Sequence, residues 1–207
     1  MAKETNFSKT LERFIDLLFA IIIGVGFAEF LQSKFLKDLL LPKLPDFRIM
    51  ALFIITYFYI ISDWLFYYTL MKKYPYQKAK LRRFGTDIVF FFLMSFLIHL
   101  STLSSRPPVI LVYVFTLAAC HLVLFIWHVL AGREYPSSAK NKDCWAHIVR
   151  TSVYGVMGVF MFLVARKISD RPAEGSFTWI AVIVIGAGVV FFNLKRLRQF
   201  LEKSAEV

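Results

Sequence analysis

Charge is scarce in this chain. Of its 207 residues only 19% are Asp, Glu, Lys or Arg, while 58% are hydrophobic and 17% aromatic. A soluble domain carries about 25% charged residues, and a disordered chain needs low hydrophobicity, so the balance excludes both classes. Cysteine is scarcer still. Cys120 and Cys144 are not spaced as a metal or redox pair, which leaves no disulfide framework and no zinc site to expect. Also missing are a His-Glu-x-x-His helix, a Gly-x-Ser-x-Gly elbow and a P-loop, so no nucleophile, metal or phosphate cradle can be named, and neither enzyme activity nor a cofactor is expected. Inverted repeats and Gly/Pro-broken helices, the marks of many transporters, are absent too. So is a small-residue cleavage site after the first apolar run, which is therefore expected to stay as an anchor.

What the chain has is long apolar runs. Six can be drawn, 14–31, 49–71, 84–103, 109–130, 145–165 and 177–194, each near the roughly 20 residues that a helix needs to cross a bilayer. The expected fold is an all-α integral membrane protein of six transmembrane helices. Residues 1–13 would form a short N-terminal segment, 14–194 the membrane domain and 195–207 a tail. Ser104-Ser105-Arg106-Pro107-Pro108 reads as a tight turn joining the third and fourth crossings, because proline suits a helix start but not its interior. Phe35 to Leu41, apolar for a connection, is expected as a short surface helix.

Formal charge is +11, from 25 basic against 14 acidic residues. When Lys and Arg are assigned to alternate sides of six crossings, 17 fall on the side of the termini and 8 opposite. Basic residues are retained in the cytoplasm, so both termini are expected there, in the cell (inner) membrane. The densest patch is the second loop, Lys72, Lys73, Lys78, Lys80, Arg82 and Arg83. It reads as a topology signal and a contact for anionic lipid, and no recognition-helix or single-strand signature points to nucleic acid.

Ionisable residues inside hydrocarbon are costly and need a partner or a water path. Asp16, Asp63, Asp87, His99, His121 and His128 stand within or at the ends of the apolar runs. His121 and His128 are two turns apart and share a face. Together with His147 and Arg150, most of these residues fall toward the cytoplasmic ends. Such a polar layer reads either as a proton-sensitive gate or vestibule, or as a self-satisfying structural network. Trp64, Trp127, Trp145 and Trp179 mostly fall near helix ends, where amphipathic rings favour the interface.

The first run reads Leu11-Glu12-Arg13-Phe14-Ile15-Asp16-Leu17-Leu18-Phe19-Ala20-Ile21-Ile22-Ile23-Gly24-Val25-Gly26-Phe27-Ala28-Glu29. It resembles the signature first helix of the transmembrane protein 175 family, whose prokaryotic members are small six-helix potassium channels. Leu11, Glu12, Phe14, Asp16, Phe19, Ala20, Ile21, Ile23 and Glu29 match that pattern in register. Ile15 stands where the family has Ser and Gly24 where it has Thr. The family's usual second-helix His pattern is absent, with Asp63-Trp64 as a candidate substitute. The resemblance implies a homo-oligomer, a tetramer, whose first helices line a pore for potassium or other monovalent cations, with Ile21 as a hydrophobic constriction that gates by dewetting. Asp16 and Glu29 would stand at its two mouths.

Read without the resemblance, Gly24 and Ala28 form a small-xxx-small step that lets another helix approach closely. Three functions follow. The first is an oligomeric cation channel built on Ile21, Gly24 and Ala28, supported by Phe14, Asp16, Glu29, Asp63 and His128. The second is a membrane scaffold or sensor that recruits a cytosolic protein partner through its basic face. The third is a proton-coupled transporter using Asp63, His99 and His121.

Overall fold

The computed structural model describes residues 2–41, 45–76, 82–103, 106–135, 142–167 and 171–204. Among them every element of regular structure is an α-helix: α1 (Ala2–Leu31), α2 (Lys34–Leu40), α3 (Phe47–Lys73), α4 (Arg82–Leu103), α5 (Pro107–Glu134), α6 (Lys142–Ala165) and α7 (Arg171–Ser204). Six helices are long and apolar enough to cross a membrane. Five contain the stretches Phe47–Met71, Arg82–Leu103, Pro107–Glu134, Cys144–Ala165 and Gly175–Leu194, and the sixth stretch, Lys9–Leu40, runs along α1 into α2. Length and composition thus mark an integral membrane protein. The short helix expected near Phe35 is α2.

Local chemistry sets the boundaries. Asp46 caps α3, its Oδ1 accepting from the Arg48 backbone N–H at 3.1 Å. Pro107 and Pro108 open α5 behind the N-cap Arg106, where the missing N–H groups of proline cost nothing; Ser104 and Ser105 lie outside the described residues. Two helices outrun the apolar segments expected of them. α1 begins at Ala2 and α7 continues to Ser204, because the Lys, Glu and Arg beyond each apolar run are good helix formers that carry on the hydrogen-bond ladder.

α5 is the central helix, packed against α4, α6 and α7, while α3 lies against α7 and α4. α1 leans mainly on α4, with a lighter contact to α3. The core is dense with rings, Phe19, Tyr59, Tyr113, Trp127 and Tyr154 all being almost fully buried. Lipid tails are as apolar as these side chains, so close packing and internal polar ties, more than water exclusion, hold such helices together. At Gly26 the approach is closest. A Cβ there would stand 2.7 and 2.8 Å from the Ile98 methyl carbons and 2.9 Å from the Tyr57 hydroxyl, so glycine is what lets α1 settle on α4.

Candidate functional site

α1 has two unlike faces. Ile15, Phe19, Ile22 and Gly26 recur at four- and three-residue steps, which places them on one side, turned inward. Phe19 meets Phe91 edge-on with ring centroids 4.8 Å apart. The opposite side, Phe14, Leu17, Ile21, Gly24, Val25 and Ala28, is exposed in the single chain, and nothing lies within 4 Å of a Cβ built on Gly24. Phe14 nonetheless keeps a ring contact with Phe84 at 6.0 Å.

Polar ties at both ends fix how α1 is rotated. The Trp64 indole donates to Asp16 Oδ1 at 3.3 Å, whereas Asp63 beside it turns toward Tyr59 and Cys120. Toward the other end Glu29 Oε2 lies 3.6 Å from His99 Nδ1. Tyr57 donates to the Ile23 carbonyl at 2.5 Å between them. A crevice of about 90 Å³ runs beside this face, lined by Ile21, Val25, Gly26, Glu29, Ser95 and Ile98.

The residues expected in a polar layer at the cytoplasmic ends make distinct sets of contacts, with Trp127 touching both Arg83 and His128. They fall into three groups, of which Asp16 with Trp64 is the peripheral one. The second joins α4 to the end of α3 and to α5. Asp87 accepts a hydrogen bond from Tyr76, whose hydroxyl is 2.7 Å from that of Tyr67. Arg83, placed by the sequence in a lipid-facing basic loop, is instead fully buried. It pairs with Glu134 at 3.5 Å, donates to the Pro75 carbonyl at 2.9 Å, and lies over the rings of Tyr76 and Trp127 at 4.5 and 4.9 Å. The reason is the partner: Glu134 at the end of α5 supplies a buried counter-charge, and the two rings cover the guanidinium. Arg82 remains exposed, and Lys78 and Lys80 lie outside the described residues. Burial, then the neighbouring Asp87 carboxylate, holds the Tyr76 phenol above its usual range.

The third group lies where α5 and α6 meet. His121 and His128 on α5 and His147 on α6 are each at least 98% buried. The rings of His128 and His147 stack at 4.9 Å, and those of His147 and His121 lie 5.7 Å apart. Tyr154 stacks on His121 at 5.5 Å, and Tyr59 meets His121 edge-on at 5.6 Å. Asp63 is buried within electrostatic reach of Tyr59, Cys120 and Tyr154. Arg150, on the α6 face of His147, donates to the Phe192 carbonyl at 2.9 Å.

Sequence reasoning named Asp63, His121, His128, His147 and Arg150, and the structure brings them to one neighbourhood. Asp16 and Asp87 take other partners, Trp64 and Tyr76. The tyrosines were missed, as was Glu134. Their signal was present in the spacing, since Tyr59, Asp63 and Tyr67 step along one face of α3 at four-residue intervals, but aromatic residues are too common in this chain for that to stand out. Trp127 also departs from the interfacial role expected of it, being buried between Arg83 and His128. Among the described residues no three His, Cys, Asp or Glu side chains are placed to hold a metal ion. Comparison with protein-family models, curated proteins and solved structures finds no match to the chain.

Proposed function

We propose that the protein is an oligomeric cation channel whose pore is lined by the outward face of α1, with both termini cytoplasmic in the cell (inner) membrane. One observation carries this reading: α1 packs Ile15, Phe19, Ile22 and Gly26 against α3 and α4, and the face left over holds Ile21, Gly24 and Ala28, with Asp16 and Glu29 at its flanks toward the two ends. A face of apolar and small side chains suits a constriction that dewets when narrow. Glu29 and Asp16 supply the negative ends that draw cations toward such a path. The first-helix resemblance adds potassium as the favoured ion and four as the number of subunits. Anionic lipid would meet the exposed basic residues on the terminal side.

A second reading has its own observation. α7 continues as helix for ten residues past the apolar stretch that ends at Leu194, and that extension carries Lys195, Arg196, Arg198 and Lys203. Such a basic rod suits a scaffold or sensor that engages an acidic cytosolic partner.

Potassium and sodium flux through the purified protein in liposomes tests the first reading, with wild type and Ile21→Asn compared in parallel. A polar side chain at the constriction keeps it wet, so flux is expected to rise in the variant. Folded protein that passes neither ion in either form would favour the scaffold.

A further inference from the structure

We infer that His121, His147 and His128 form a buried proton-binding site, separate from the α1 face, and that its occupancy controls how firmly α6 is docked on the rest of the protein. Three imidazoles in a row at 5.7 and 4.9 Å, all sealed from solvent, are an unusual content for a membrane interior. Histidine is the side chain whose ordinary titration falls near working pH. The rings are close enough that a proton on one is felt by the others, so the three act as a unit that accepts one proton before a second is opposed.

The charges around this unit come from every helix packed against it. α3 contributes the Asp63 carboxylate and the Tyr59 hydroxyl; α5 contributes Cys120; α6 contributes Arg150 and Tyr154; α7 contributes the Phe192 carbonyl that accepts from Arg150. Beyond Trp127 lie Arg83 and Glu134, already paired with each other. Asp63 and Arg150 both act on Tyr154 and are of opposite sign when ionised, so the imidazoles are the groups whose protonation adds positive charge here. One added proton places that charge in a region of low dielectric.

That positive charge acts across the α5–α6 contact. His147 and Arg150 are three residues apart and share one face of α6, so an imidazolium at His147 places two cations on the side that must pack against His121, His128 and α7. Most of the remaining surface of α6 faces outward, including Trp145, Val156 and Phe160, and its contact with α7 is slight. α6 is held chiefly along α5, by an apolar stretch that includes Met161 and Gly158 against Phe115 and by the polar stretch of His147, Arg150 and Tyr154, and the polar stretch is the part that the proton disturbs. Proton binding is expected to loosen α6, and loosening of α6 to favour proton binding, as linkage requires.

The test uses the full chain in lipid nanodiscs. Nitrogen-15 spectra of its four histidines, assigned with His99→Gln, His121→Gln, His128→Gln and His147→Gln, are followed from about pH 8 to about pH 5, the interval that spans ordinary histidine titration. In parallel, spin labels at two outward positions, Ile54→Cys on α3 and Val156→Cys on α6, in a Cys120→Ala/Cys144→Ala background, report the separation of the helices. The expected result is one coupled protonation step shared by His121, His128 and His147, distinct from that of His99, with the α3–α6 distance lengthening in the same interval. His147→Gln and His128→Gln should each remove or displace the distance change. Three rings that titrate independently, or none that titrates, would overturn the proton site. A distance change that is absent, or that survives unaltered in both variants, would overturn its control of α6. Neither outcome depends on ion conduction, so the pore reading stands or falls separately.

Discussion

Gly26 and Gly24, two residues apart on the same helix, should respond oppositely to the same change. Alanine gains about 1 kcal/mol over glycine in a helix interior, and that gain is common to both sites. At Gly26 the new methyl would stand within 3 Å of Ile98 Cγ2, Ile98 Cδ1 and the Tyr57 hydroxyl. None of these yields easily. Ile98 is β-branched and stiff at its first torsion, and Tyr57 is held by its hydrogen bond to the Ile23 carbonyl. Overpacking of this kind costs about 1–3 kcal/mol. At Gly24 the methyl meets nothing within 4 Å. Because the helix gain cancels between the two variants, Gly26→Ala should be less stable than Gly24→Ala by that same ~1–3 kcal/mol. For a chain of this size that is several degrees of melting temperature, at about 2–4 °C per kcal/mol. The assay is thermal unfolding of monomeric protein in detergent. A Gly26→Ala variant that melts at or above Gly24→Ala would refute the close approach of α1 to α4. Gly24→Leu extends the test to assembly, since it should leave the monomer at least as stable as wild type while lowering the oligomeric mass in milder detergent or lipid.

Two further outcomes are expected. Arg83→Ala leaves Glu134 buried without its cation and should cost about 3–5 kcal/mol, whereas Arg83→Met with Glu134→Gln should recover much of that loss; unfolding in denaturant distinguishes the two, and equal losses would count against the pair. The Tyr76 phenol titrates higher in the folded protein than in the unfolded chain, because of burial and Asp87. Its stabilising contribution is therefore complete below about pH 10 and falls away as pH rises beyond it. Tyr76→Phe should flatten the alkaline limb of a stability–pH profile, and an unchanged limb would show that other groups govern it.

The membrane class was legible from the sequence because a bilayer imposes a length and a polarity on each crossing, and both can be counted along a single chain. The six apolar stretches, the short helix α2 and the proline start of α5 follow from local patterns of this kind. So does the shared face of His121 and His128, which helix periodicity alone determines. The partner of each buried ionisable group was not legible in the same way. Arg83 looks like one more basic loop residue until Glu134, at the end of another helix, is brought to it. His147 is isolated in sequence from the two histidines that it joins, and Asp87 belongs with Tyr76 and Tyr67 rather than with Asp63. Pairing across helices depends on their rotation and height relative to one another. Those are fixed by packing details such as the missing side chain at Gly26, so only the tertiary structure decides which polar residues meet.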